Sequence, residues 1–194
     1  MRKTVRYMAF FAGLFLAACG QLPEDRPIAS STEVQALEKA ITELGPDVDP
    51  GEAARAAEIA YRYTRELAIA YQITDPPLIH NTKVNMGLRP RGLCWHWAED
   101  MEARLLAENF ETLDVLRAIA NADRTFRIDH STALVAAKGT TIYDGMVLDP
   151  WRFGGTLFWA ETLADAQYEW VPQRDVLEWR RRMQLAEKRL PFPA

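Results

Sequence analysis

Eleven residues, Met8 to Ala18, run without a charge behind a short positive head of Arg2, Lys3 and Arg6. A stable membrane-spanning helix needs about 20 apolar residues, so this run is too short to be one. Charged head, short apolar middle and small residues at the end (Ala17-Ala18) form the pattern of a secretory signal, residues 1–18, that is removed on export. The folded part must be built from the residues beyond it. Cutting after Ala18 leaves 176 of the 194 residues, enough for one domain with its own core. The hydrophobic share of 48% and aromatic share of 10% are globular values. The cut removes three basic residues and no acid, which takes the net charge from −4 to −7. A chain this acidic makes a poor nucleic-acid binder, so no nucleic-acid partner is expected.

The end of the apolar run carries more. Leu16-Ala17-Ala18-Cys19 resembles the lipobox of bacterial lipoproteins. The resemblance implies that Cys19 receives a diacylglyceryl group and becomes the new N-terminus, held to a membrane by lipid. Gly20 follows the cysteine where an aspartate does not stand, which in a Gram-negative envelope implies the outer membrane, facing the periplasm. Residues 19–31, with two prolines, mixed charge and no periodicity, read as a tether, and 32–194 as a single domain.

The residue pattern then changes period. Ser30-x-x-Glu33 is a capping box before Val34, Leu37, Ile41 and Leu44 at helical spacing, up to Gly45. Asp49-Pro50-x-Glu52 opens a second helix whose apolar face runs through Ala56, Ala60, Tyr63, Leu67 and Tyr71 until Asp75-Pro76-Pro77. A loop is expected from Leu78 to Gly92. A third helix starts near Leu93 or Cys94 and passes through Met101 and Leu105. A fourth, shorter helix is expected over about Leu113 to Ala120. Thr125 to His130, Ala133 to Ala137, and Thr141-Ile142-Tyr143 with Met146-Val147-Leu148 read as extended runs. Gly154-Gly155 marks a loop, and Val176 to Arg189 a terminal helix with a basic face of Arg180-Arg181-Arg182 and Lys188-Arg189. Helices followed by strands read as α+β.

With Cys19 lipidated, Cys94 has no partner in the chain. An unpaired thiol in an oxidising compartment calls for a reason. One reason is burial as a small hydrophobe. The other is its place, where a loop becomes a helix. Free N–H groups and the helix dipole there favour a thiolate, as would Arg89 and Arg91, and the same N–H groups could hold an oxyanion. A thiolate needs a histidine, and the histidine an orienting carboxylate. His96 is two residues away and points elsewhere on a helix. His80, in the upstream loop, stays open. A two-residue turn at Gly139-Thr140 would set His130 directly opposite Asp149, side chains on one face, although Asp144-Gly145 is a second turn or bulge signal in the return strand.

Gly92-Leu93-Cys94-Trp95, Asp129-His130-Ser131 and Val147-Leu148-Asp149-Pro150-Trp151, in that order, resemble the transglutaminase-like branch of the papain-fold cysteine enzymes. The matching part covers about residues 78 to 156. The resemblance implies a papain-like α+β fold of N-terminal helices packed on an antiparallel sheet. It implies Cys94 as nucleophile, His130 as general base and acid, and Asp149 as the orienting residue. The flank differs from many members, with Ser131-Thr132-Ala133 after the histidine in place of an early aromatic residue. The N–H of Cys94 is the obvious oxyanion donor, with the side chains of Asn81 and Asn85 as further candidates.

The expected activity is thiol-based acyl transfer or amide hydrolysis on a peptide or protein of the envelope, with no cofactor. A non-catalytic envelope lipoprotein that binds a peptide or partner in the same groove is the alternative. A zinc site of Cys94, His96 and His130 is a chemical rival, disfavoured because Cys-x-His at a helix start sends its ligands to different sides. Trp95, Trp97 and Trp151 read as core packing.

Overall fold

The computed structural model describes residues 22–188. The signal segment, Cys19 and Arg189 lie outside the described residues.

Helix α1 (Ser31–Thr42) opens at the expected capping box. The Ser30 hydroxyl accepts the Glu33 N–H at 3.2 Å, and the Glu33 carboxylate accepts the Ser30 N–H at 2.8 Å. Helix α2 (Pro50–Ala70) is capped by Asp49, which accepts the Glu52 N–H at 2.8 Å. Leu37 and Ile41 of α1 share a buried cluster with Ala53, Ala56, Ala57 and Ala60 of α2, whose small side chains let the helices approach closely. The chain leaves α2 ahead of the prolines, through Gln72 in the left-handed conformation (φ 57°).

Helix α3 (Pro77–Asn85) stands inside the segment expected to be a loop. Pro76-Pro77 reads as a stop, yet a proline in a first turn also starts a helix, because its missing N–H has no partner to lose there. With a single buried residue, His80, α3 shows no apolar stripe for periodicity to reveal. Helix α4 (Cys94–Leu106) begins where expected.

The larger correction is β1 (Leu113–Ala120), a strand over the residues expected to be helical. Leu, Arg and Ala favour helices locally, but all eight residues pair with β2 (His130–Ala137), from Leu113 opposite Ala137 to Ala120 opposite His130. Tertiary pairing overrides propensity here. The strand expected from Thr125 starts only at His130. Residues 125–127 lie in a turn and a bend and 128–129 are irregular, with Phe126 fully exposed. Ile142–Asp144 is a 3-10 turn, not an extended run, and leads into β3 (Met146–Asp149). β4 (Phe158–Glu161), β5 (Val171–Pro172) and α5 (Gln173–Glu187) complete the fold.

The sheet order is β4-β3-β2-β1-β5, with every pair antiparallel, so the class is α+β. β2 is central and buried on both faces. Ala133 and Val135, with Met146 and Leu148 of β3, pack under the helices beside Met101 and Leu105 of α4. Leu134 and Val147 face the other way, into a cluster with Ala118, Ile142 and Trp170. The expected tether is partly docked. Pro23 is buried, and the Arg26 guanidinium donates to the carbonyls of Gly154 and Ile73.

Leu134 is 0% exposed at the centre of the middle strand. Leu134→Ala is expected to cost about 2–5 kcal/mol in urea unfolding, against under about 0.5 kcal/mol for Phe126→Ala.

Candidate active site

Cys94, His130 and Asp149 come from three elements that meet at one end of the sheet. Cys94 opens α4, His130 opens β2 and Asp149 closes β3. The expected register is corrected by two residues. Ala133 pairs with Leu148, where the simple turn would have paired it with Met146. The 3-10 turn before Gly145 takes up the additional length. A slip of two keeps every side chain on its face, whereas a slip of one would have reversed them. His130 and Asp149 therefore remain neighbours, on the diagonal instead of directly opposed, and His130 Nε2 donates to Asp149 Oδ2 at 2.6 Å.

That bond fixes the imidazole. With Nε2 on the carboxylate, Nδ1 has no hydrogen-bond partner of ordinary geometry, and the Cys94 thiol is the group beside it. The thiol itself donates to the Asp129 carbonyl at 3.4 Å. Burial would push the imidazole down, but the Asp149 carboxylate and the Cys94 thiol outweigh it, and His130 is pushed up to about 9. His130 is thus held cationic at neutral pH beside a group able to become an anion. Three rings enclose it, Trp151 at 4.7 Å, Tyr168 at 4.5 Å and Trp170 at 5.3 Å between centroids. Trp97 and Trp151 are buried as expected. Trp95 is not core: it is 47% exposed and lies over His96.

Sequence reasoning missed the groups behind Asp149. Arg152 donates to it twice, from its backbone N–H at 3.1 Å and its Nε at 2.9 Å. The far side of the same guanidinium grips Asp165 at 3.1 and 2.5 Å, and Asp165 also accepts from Trp170 Nε1 at 2.9 Å. Burial would lower the Arg152 pKa, but its two carboxylates raise it, and Asp165 is held below the usual carboxylate range by Arg152 and Trp170 against its own burial. Asp149-x-x-Arg152 carried a signal, since an aspartate commonly takes the N–H of a residue just ahead in a turn. Asp165, Tyr168 and Trp170 had none, being placed by tertiary structure alone.

The loop before Cys94 is held by residues considered for other roles. His80 is not the base: its Nε2–H donates to the Arg91 carbonyl at 2.9 Å. It fills the space beside Gly92, whose φ is +124° and where a Cβ would collide with the His80 ring. His96 turns its Nδ1 back to the N–H groups of Gly92 and Leu93, at 3.1 and 3.2 Å, and so acts as a cap, away from Cys94. Arg91 is directed to Glu99 and Asp100 at 3.0 and 2.8 Å, and Arg89 to its neighbour's carbonyl, so neither guanidinium serves the thiol as expected. Among the described residues no group of three His, Cys, Asp or Glu side chains is placed to hold a metal ion.

For an oxyanion, the first turn of α4 offers the amides of Cys94 and Trp95, since those of His96 and Trp97 already bond the Leu93 carbonyl. Asn81 borders the site, its Oδ1 accepting from Trp151 Nε1 at 3.1 Å. Asn85 is exposed at the end of α3 and is not brought to the site.

Arg152→Leu would leave the buried Asp165 without its cation and Asp149 with His130 alone. A loss of about 3–5 kcal/mol in denaturant unfolding at pH 7 is expected, and a loss below about 1 kcal/mol would contradict the pairing. Comparison with known proteins returns no matching family model, no matching curated protein and no matching solved structure.

Proposed function

We propose that this chain is a lipid-anchored envelope protein of the transglutaminase-like, papain-fold kind, with Cys94 as nucleophile for acyl transfer or amide hydrolysis on a peptide or protein. The observation that carries this reading is the buried His130, bonded to Asp149 through Nε2 with its other nitrogen left for Cys94. That is the wiring of a nucleophile, a proton carrier and an orienting acid.

The geometry supports a sequence of steps. Cys94 gives its thiol proton to solvent and reacts as a thiolate paired with the cationic His130. The thiolate attacks an amide carbonyl, and the Cys94 and Trp95 amides receive the developing oxyanion. His130 Nδ1 gives its proton to the departing amine, leaving a thioester on Cys94. Water, or a second amine, then gives its proton to His130 and resolves the thioester. Hydrolysis and cross-linking differ only in that acceptor. Asp149 keeps the ring in its tautomer, and Arg152 with Asp165 keeps Asp149 in place.

The anchor rests on the lipobox-like Leu16-Ala17-Ala18-Cys19, with the outer membrane facing the periplasm as the proposed location. One observation favours the alternative, a binding lipoprotein without turnover: Cys94 is 7% exposed and its proton rests on the Asp129 carbonyl.

Alkylation separates the two. With a soluble form starting after Cys19, iodoacetamide should modify Cys94 rapidly near neutral pH, and His130→Ala should slow it by about tenfold or more. Labelling only on unfolding, or a rate indifferent to His130, would sink the enzyme reading and leave a binding protein.

A further inference from the structure

The docked start of the chain limits how this domain can stand on a membrane. Arg26 is fastened to the carbonyls of Gly154 and Ile73, the Glu24 carbonyl accepts from Arg65 at 2.7 Å, and a 3-10 turn at Pro23–Asp25 buries Pro23 and bonds the Asp25 N–H to the Leu22 carbonyl. Only two residues, Gly20 and Gln21, stand between Leu22 and Cys19, which makes three Cα–Cα steps. Fully extended, they reach about 11 Å. A segment that reads as a long tether in the sequence is therefore a short strap.

The strap is fastened at the site end of the sheet. Gly154 belongs to the loop that leaves β3 after Asp149 and returns as β4. Its neighbour Gly155 (φ +90°) lies where a Cβ would come within 3.1 Å of the Arg26 guanidinium and 3.5 Å of Trp97, which shares a buried cluster with Cys94 and Trp151. Four apolar side chains, each more than half exposed, belong to the segments that meet at this corner: Phe153 next to Gly154, Leu78 and Ile79 after Pro77, and Leu22 just before the docked strap. Pro77, beside Gly154, brings the first turn of α3 into the same corner. The opposite end of the sheet, at the turn of Gly139 and Thr140, lies the length of the eight-residue β2 away, about 23 Å.

We infer that the domain stands on the bilayer by this corner, with Leu22, Leu78, Ile79 and Phe153 in the interface and the Cys94 site held close to the lipid surface. The inference rests on Cys19 being lipidated. It also narrows the substrate to polypeptide held near the membrane, such as the juxtamembrane part of another anchored protein, because the strap is too short to present the site to chains far from the surface.

The test uses full-length protein, lipidated in the cell, purified and reconstituted into vesicles of phosphatidylethanolamine and phosphatidylglycerol. In a Cys94→Ser background, a bimane label is placed at Phe153→Cys or Leu78→Cys, or at Thr140→Cys at the far end. Nitroxide-bearing lipids should quench labels at 153 and 78 several-fold more than at 140. Arg26→Ala, which frees the strap, should erase that difference. Equal quenching at both ends of lipidated protein overturns the orientation alone. A difference that survives Arg26→Ala overturns the strap as its cause. Mature protein whose mass shows no diacylglyceryl group on Cys19 overturns the anchor and the orientation together.

Discussion

A buried row of alternating charge, His130–Asp149–Arg152–Asp165, is the constraint on which the rest of this structure depends. Each group alone would be costly to take from water. Side by side, two cations and two carboxylates neutralise one another, and the carboxylates accept further hydrogen bonds from Trp170, Gln167 and the Arg152 backbone. The row joins the start of β2, the end of β3, the turn after it and the loop before β5. It therefore specifies how four separate segments meet. Phe158 and Tyr168 cover the guanidinium at 3.7 and 4.8 Å, which keeps water from the pairs and strengthens them.

Cys94 is brought to the end of this row by a second, independent set of contacts. Gly92 makes the turn that His80 fills, Trp97 Nε1 bonds the Gly92 carbonyl at 3.1 Å, and His96 caps the helix from within. On the other side, Arg180 of α5 pairs with the Asp129 side chain, and the Asp129 carbonyl holds the thiol. The basic terminal helix, a solvated face by its sequence, thus has one arginine that steadies the residue before His130. Among the described residues, Cys94 and His130 are thus positioned largely by different parts of the chain.

What could be read in the sequence followed physical locality. Capping boxes and proline starts act within a turn, so α1, α2 and the start of α4 were legible. So was the pairing of His130 with Asp149, because the face of a strand depends only on parity and survived a register two residues out. β1 was not legible: its Leu, Arg and Ala residues favour a helix until β2 is beside them. α3 was hidden because it buries almost nothing. Asp165, Tyr168 and Trp170 were hidden because no local rule ties them to a histidine more than thirty residues upstream. The histidines His80 and His96 looked chemical and proved structural, each bound to backbone near Gly92.

The central claim is that His130 is held charged between Asp149 and Cys94. The direct measurement is an NMR titration of the His130 ring nitrogens in the folded protein, with Asp149→Asn and Cys94→Ser beside it. The account predicts an imidazolium through neutral pH that loses its proton only near 9, and earlier in both variants. A His130 already neutral at pH 7, or one that titrates alike in all three proteins, would contradict it.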